Sequence, residues 1–135
     1  MALVSSIVGA SELERLVSGL LFVSEADSPL TVVQLGPLPE LDSQSLLRAL
    51  GKSDNAPINQ CTLGQLFDRT VAEQPWHGPP ERATVARYRA LLDFLGTALD
   101  DSRVFRIGII EVDAYALGKT NDGYWLGVAT KLIET

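Results

Sequence analysis

The sequence predicts an α+β domain, a three-layer α/β/α sandwich around a largely antiparallel central sheet. Four segments have the apolar spacing or the capping residues of helices, whereas the last third of the chain has the pattern of strands. The final strand is apolar on both faces. One face carries Leu126, Val128 and Leu132, and the other carries Trp125, Ala129 and Ile133. A sheet that is buried on both sides needs helices on both faces, which predicts the three layers.

The first predicted helix begins at Ser11, because Ser11 and Glu14 have the spacing of a capping box. Its apolar stripe runs to about Phe22 and consists of Leu13, Leu16, Val17, Leu20 and Leu21. Residues 24–29 predict an acidic loop. Leu30–Leu35 predicts a strand, which the prolines at positions 37 and 39 end.

Asp42 or Ser43 is expected to cap a second helix, which carries three leucines and stops at Gly51. The polar segment 52–59 predicts a loop. Thr62 and Gln65 form a second capping-box pattern before a short helix with Leu63, Leu66 and Phe67.

Residues 70–80 contain three prolines and a glycine, which predicts a loop that presents Trp76 beside His77. A long helix is expected from Glu81 to Leu99. Its predicted apolar face consists of Val85, Tyr88, Leu92, Leu95 and Leu99. Strands are expected at residues 104–110, 112–117 and 124–133, with a turn at Asn121-Asp122-Gly123 before the last strand.

The length and composition predict one domain over residues 1–135, in which residues 1–10 are able to fray. The net charge of −6 argues against direct nucleic-acid binding, because phosphate binding needs a Lys/Arg surface. It suits a basic partner, or it only keeps the protein soluble. Cys61 is the only cysteine, so no internal disulfide is expected. The N-terminus lacks the basic region of a signal peptide and no apolar run is long enough to span a bilayer, so we expect a cytoplasmic protein.

The lack of a recognisable catalytic motif favours a binding protein over an enzyme. His77 is the only histidine, and neither a nucleophile elbow nor a metal-binding spacing accompanies it. No cofactor of its own is therefore expected. An enzyme that uses His77 or a pair of carboxylates remains the alternative hypothesis.

Five residues are candidates for partner binding, each with a structural alternative. Glu25 and Asp27 follow the first helix, where most acidic residues are merely solvated. Trp76 either packs into the core or anchors an interface, because tryptophan is enriched among binding hot spots. Glu134 and Thr135 follow an apolar strand, so their oxygens are expected at a fixed sheet edge, where they suit a hard cation held by a partner.

At these residues the sequence resembles the nuclease A inhibitor family. The likeness covers most of the chain from Ser11 onward and is carried by Gly19–Glu25, Asp54–Pro57, Trp76, Val104–Gly108, Glu111–Tyr115 and Thr130–Thr135. The chain departs from the family pattern after Trp76, where it has His77-Gly78-Pro79-Pro80 in place of acidic residues, and between Leu35 and Gln44, which is rich in proline.

The resemblance implies an inhibitor of a sugar-nonspecific DNA/RNA endonuclease of the ββα-metal type. It implies a fold similar to plant pathogenesis-related proteins and a monomer that forms a one-to-one complex. Glu25 would meet an arginine or the metal region of the nuclease, Trp76 would pack on the enzyme, and Thr135 would approach its catalytic Mg²⁺. The alternative is an interaction module that reuses the same fold for a different partner.

Overall fold

The computed structural model describes residues 2–134, which form an α+β fold of four helices and seven strands. The helices are α1 (Ser6–Val17), α2 (Ser43–Ala49), α3 (Leu63–Phe67) and α4 (Pro79–Thr97). The strands are β1 (Leu21–Val23), β2 (Asp27–Pro29), β3 (Thr31–Leu35), β4 (Ile58–Cys61), β5 (Asp100–Ile107), β6 (Glu111–Lys119) and β7 (Trp125–Ile133).

Five of the strands form one antiparallel sheet in the order β3-β7-β6-β5-β4, which confirms the antiparallel prediction. The last strand, β7, lies between β3 and β6, so that Val128 faces Val32 on one side and Ala116 on the other. The strands β1 and β2 form a separate two-stranded hairpin, in which Phe22 pairs with Ser28.

Alternate residues of β7 contribute to two separate hydrophobic cores. Leu126, Val128 and Leu132 belong to the larger core, which also contains residues of α1, α3 and α4. Trp125 belongs to the smaller core, where it joins Leu46 and Leu47 of α2. The face with Leu126, Val128 and Leu132 is buried as the sequence predicts. On the other face only Trp125 is in a core, because Ala129 and Ile133 are half-buried and belong to neither core. The three-layer arrangement itself stays a prediction.

The predicted boundaries of the first helix are wrong at both ends. The helix begins at Ser6, where the Ser5 hydroxyl accepts a hydrogen bond from the Val8 N–H, so Ser11 lies inside it. Ser6 is buried, and its hydroxyl donates to the Asp122 carboxylate at 2.7 Å, which fixes the first turn to the rest of the fold. The helix ends at Val17, not at Phe22, and Gly19 follows with a positive φ of 73°.

The acidic loop predicted at residues 24–29 is a hairpin instead. Leu21 pairs with Pro29 and Val23 with Asp27, which leaves residues 24–26 as the turn. The Ser24 N–H donates to the Ala26 carbonyl at 3.1 Å. Strands of three residues carry too little alternation to be distinguished from a loop by their sequence.

The prediction from sequence also lacks β4 and has the wrong bounds for β5. Ile58–Cys61 is an edge strand paired with β5. The sequence predicts a loop over residues 52–59 because this segment is polar, and Asn59 and Gln60 at the centre of the strand are exposed. β5 spans 100–107, not 104–110, because Gly108 has a φ of 117° and turns the chain. Cys61 is a half-buried free thiol on this edge strand, and burial raises its pKa.

The cap residues of α2 and α3 confirm the sequence prediction. The Asp42 carboxylate accepts from the Ser45 N–H at 2.8 Å, and the Thr62 hydroxyl accepts from the Gln65 N–H at 3.1 Å. Each N3 side chain bonds back to the cap residue, which completes a capping box. The helix α4 begins two residues before the predicted Glu81, with proline in its first turn.

Candidate functional site

The turn of the β1–β2 hairpin lies against the end of β7. The Ser24 hydroxyl accepts a hydrogen bond from the Ile133 N–H at 3.0 Å, and this bond joins residues that are 109 positions apart. Glu25 and Asp27 are exposed on the hairpin, and Glu134 is exposed directly after β7. Thr135 lies outside the described residues. Four of the five predicted partner-binding residues are therefore described, and three of them belong to these two adjoining segments.

The β5–β6 turn, Gly108–Ile110, lies against the same chain end. The Glu134 N–H donates to the Ile110 carbonyl at 2.8 Å, and the Gly108 N–H donates to the Pro57 carbonyl at 2.9 Å. A side chain at Gly108 would place its Cβ only 2.1 Å from the Glu111 carbonyl oxygen, so glycine is required. We call the surface formed by residues 23–27, 108–111 and 133–134 the hairpin end.

Aromatic packing holds the hairpin on the domain. Phe22 is the buried residue of β1, and its ring centroid lies 6.1 Å from that of Phe67 and 6.3 Å from that of Tyr88. The Tyr88 hydroxyl donates to the Leu21 carbonyl at 2.5 Å, and burial raises the pKa of Tyr88. The Thr130 hydroxyl of β7 donates to the Pro29 carbonyl at 3.0 Å. Both strands of the hairpin therefore have side-chain anchors outside it.

The Glu134 carboxylate forms an ion pair with the Arg106 guanidinium of β5. Both side chains are partly accessible, at 46% for Glu134 and 30% for Arg106. The Arg106 Nε is buried and has no hydrogen-bond partner within residues 2–134. Glu134 thus has a role inside the chain, where it fixes the end of β7 to β5.

The hairpin end is acidic. Its exposed carboxylates belong to Glu25, Asp27, Glu111 and Glu134. Glu111 belongs to this group because it pairs with Ile133 across β6 and β7. A cluster of this kind attracts cationic groups of a partner over a distance of about 8–10 Å at physiological salt.

The hairpin end also has three exposed apolar side chains, which were not identified from the sequence as candidate binding residues. Ile109 is 75% exposed, Ile110 is 58% exposed and Val23 is 68% exposed. The sequence places both isoleucines inside a strand, because they are β-branched and follow an apolar run. Gly108 is the signal that could have identified them, because a glycine at this position indicates a turn. Turn positions are commonly polar, so two isoleucines directly after the glycine are unusual.

Trp76 is 74% exposed, so it does not pack into either core. Its ring contacts that of His77 edge-on at 4.4 Å between centroids. His77 is held in the loop by two hydrogen bonds to Gln74. Its ring Nδ1 accepts from the Gln74 backbone N–H at 3.1 Å, and its backbone N–H donates to the Gln74 carbonyl. The loop presents the indole to solvent immediately before α4.

The N-terminus of α4, three residues after Trp76, points toward the end of the sheet that carries the hairpin turn. Two residues join α4 to β5, so the helix runs back along the sheet and its N-terminus points to the end where β5 finishes. From Tyr88, which bonds to Leu21, the helix extends back to Pro79 over about 13 Å. β1 extends from Leu21 to Ser24 over about 10 Å toward the end of β7, because Pro29, which pairs with Leu21, bonds to Thr130 and Ser24 bonds to Ile133.

The opposite end of the sheet carries a different surface. There the β6–β7 turn contacts the N-terminal segment, since the Asn121 N–H donates to the Val4 carbonyl at 2.9 Å. Leu3, Ile7 and Val8 are exposed at this end.

Within residues 2–134, no set of three or more His, Cys, Asp and Glu side chains is arranged to hold a metal ion. Among the described helices, none combines the length and the apolar character that crossing a membrane requires.

The comparisons with known proteins give one family. The model of the family described as nuclease A inhibitor-like protein matches residues 9–135. No curated protein matches the chain significantly.

Proposed function

The chain belongs to the nuclease A inhibitor-like family, and we propose that it inhibits a sugar-nonspecific, Mg²⁺-dependent DNA/RNA endonuclease of the ββα-metal type. Family membership supports the proposal that the protein acts on a nuclease by binding it and is not itself catalytic. The observation that carries the proposed binding mode is the Ser24–Ile133 hydrogen bond, because it brings the acidic hairpin turn to the end of β7.

The inhibitor imitates the nucleic-acid backbone. A nuclease that cleaves any nucleic acid has a basic cleft and an open metal position for phosphate. Glu25 takes the place of a phosphate and accepts charge-assisted hydrogen bonds from an arginine of the cleft or lies in the metal region. Carboxylates contain no phosphodiester bond, so the metal-activated water has nothing to cleave.

The end of the chain approaches the catalytic Mg²⁺ of the nuclease. Carboxylate and hydroxyl oxygens are the ligands that this hard cation prefers, and Thr135 offers a hydroxyl. The Arg106–Glu134 ion pair and the Glu134–Ile110 hydrogen bond support this role, since they fix the residue before Thr135. Asp27 adds negative charge around the contact, and Glu134 contributes by holding the end of β7 through its pair with Arg106. Trp76 packs on the enzyme surface beside the cleft, as a hot-spot tryptophan does.

The acidic charge of the inhibitor increases its association rate with a basic cleft. Complementary charges steer encounter, and added salt screens them. We therefore expect the association rate constant to fall as the salt concentration rises, while the dissociation rate constant changes less.

A titration of nuclease activity tests the function. A purified ββα-metal nuclease is mixed with increasing amounts of the protein, and DNA cleavage should stop near one equivalent. Undiminished cleavage at a large excess would refute the proposal. Capture of a protein other than a nuclease, with cleavage unaffected, would favour the interaction-module hypothesis.

Two terminal extensions test the position of the chain end. A few glycine and serine residues appended after Thr135 should weaken inhibition far more than the same residues placed before Met1. The second extension is the matched control, because the N-terminal segment adjoins the opposite end of the sheet. Equal inhibition by the two extended proteins would show that Thr135 does not lie at the metal.

A pair of isosteric substitutions tests the phosphate surrogate. Glu25→Gln should weaken nuclease binding at least tenfold, because close charge pairs across interfaces contribute about 1.5 kcal/mol or more. Asp93→Asn is the matched control, since it makes the same change of net charge on the exposed face of α4. If both variants bind equally well, Glu25 acts only through overall charge.

A further inference from the structure

We propose that the apolar tip of the β5–β6 turn, Ile109 and Ile110, together with Val23 of the hairpin, anchors the protein on an apolar rim of the nuclease cleft. This inference rests on the proposed function, because its occupant is the nuclease. It assigns the binding free energy at the hairpin end to apolar contact as well as to charge.

The exposure of these side chains needs an explanation. Two cores bury most of the large apolar residues of the described chain, yet Ile109 and Ile110 remain 75% and 58% exposed in consecutive positions. Val23 lies on the adjoining hairpin and is 68% exposed. Isolated apolar residues are common on surfaces, whereas adjoining ones mark interaction sites.

The turn is held rigidly, as an anchor must be. Hydrogen bonds link it to Pro57 on one side and to Glu134 on the other, and the backbone of Gly108 admits no side chain. The isoleucines are therefore displayed before any partner arrives. A preorganised contact loses less conformational entropy on binding than a mobile loop does.

The apolar tip is continuous with the acidic groups that carry the proposed function. The carbonyl of Ile110 accepts from the N–H of Glu134, so the tip and the chain end form one surface. Exposed carboxylates adjoin the apolar residues along the chain, since Val23 pairs with Asp27 in the hairpin and Glu111 directly follows Ile110. An apolar centre within a charged rim is the usual arrangement of a protein interface, and here the charge suits a basic cleft.

A groove beside the turn fits the same occupant. It has a volume of about 440 Å³ and is lined by Pro57, Ile58, Ile109, Val112 and Glu134, among others. Ile58, Ile109 and Val112 offer apolar surface to a side chain of the nuclease, whereas Glu134 at the edge is already paired with Arg106, which also lines the groove.

The test compares two double substitutions at opposite ends of the sheet. Ile109→Ser with Ile110→Ser removes the proposed anchor, and Ile7→Ser with Val8→Ser is the matched control at exposed apolar positions of α1. The dissociation constant of each variant for a purified ββα-metal nuclease is measured by calorimetry, and its rate constants by surface-based kinetics. The thermal midpoint of each variant is recorded alongside.

The anchor variant should bind at least tenfold more weakly than the control, mainly through faster dissociation, because apolar contacts act after encounter. The salt dependence of its association rate should be unchanged. Ile109→Leu with Ile110→Leu should restore binding to within about threefold, since it restores the apolar area. If the double serine variant has a lowered thermal midpoint, Ile109→Ser alone, at the more exposed position, should still weaken binding beyond the control.

The outcomes separate the two proposals. A wild-type protein that does not bind the nuclease would overturn the proposed function, and the anchor with it. A wild-type protein that binds, while the anchor and control variants bind equally well, would overturn the anchor alone. Equal effects of serine and leucine at these positions would also overturn it, because the apolar character would then be irrelevant.

Discussion

Replacing Phe22 with alanine should loosen the hairpin without touching the proposed binding surface. Phe22 is 7% exposed, and its ring contacts those of Phe67 and Tyr88. A buried Phe→Ala substitution costs about 3–5 kcal/mol from lost transfer free energy and the cavity that remains. We expect a loss of about 3–4 kcal/mol in the free energy of unfolding, because a hairpin at the margin of the core closes part of the cavity. A domain of ordinary stability stays folded after this loss.

Urea denaturation measures the loss, and a nuclease titration measures its effect on function. Phe22→Ala should weaken inhibition even though the ring is buried, because the Glu25 carboxylate would no longer be held beside the end of β7. Phe22→Leu is the control, since it retains an apolar side chain and should cost about 1–1.5 kcal/mol. A loss below about 1 kcal/mol for the alanine variant, together with unchanged inhibition, would refute the claim that this ring positions the hairpin.

Three further predictions concern polar contacts. Tyr88→Phe should lower the free energy of unfolding by about 1–2 kcal/mol, because the Leu21 carbonyl loses its donor, and an unchanged urea midpoint would contradict this. Arg106→Ala should weaken inhibition more than Arg106→Lys, because lysine keeps a cation for Glu134, and equal inhibition constants would deny the pair a positioning role. Hydrogen bonds from nearby hydroxyls lower the pKa of Asp122, so its carboxylate stabilises the fold above about pH 4 and loses this effect as the pH falls through the lowered pKa. Asp122→Asn should therefore reduce the thermal midpoint near pH 7 but not near pH 2, and a constant difference across this range would contradict the assignment.

Features that depend on a few neighbouring residues could be predicted from the sequence. The pairing of Thr62 with Gln65 is local, and the structure has the capping box there. The buried face of Leu126, Val128 and Leu132 follows from alternation alone, and Trp125 on the opposite face belongs to the other core.

The start of α1 could not be predicted in the same way. Ser5 and Ser11 are both plausible caps, and the choice depends on the bond between Ser6 and Asp122, which are 116 positions apart. A capping-box pattern carries no information about such a distant partner. The same reason explains β4, whose polar Asn59 and Gln60 are strand residues only because β5 lies beside them.

In the candidate site, too, the residue types could be predicted from the sequence, whereas positions that depend on tertiary contacts could not. Glu25, Asp27 and Trp76 were identified by residue type and loop context, and the structure shows all three exposed. The position of Glu25 and Asp27 beside the end of β7 depends on the tertiary bond from Ile133 to Ser24, which no local pattern contains. Ile109 was not identified as an exposed residue, because isoleucine favours strands and the sequence predicts a strand there.

Because β7 lies inside the sheet, the sheet cannot be complete until the last strand of the chain has been synthesised. Because β7 is flanked by β3 and β6, a polypeptide that stops before residue 125 leaves β3 with no sheet neighbour and both cores without a wall. Pairing of segments so far apart is slow, because a large loop must close before any contact forms. A nascent chain therefore completes both cores and the hairpin end only after β7 has been synthesised.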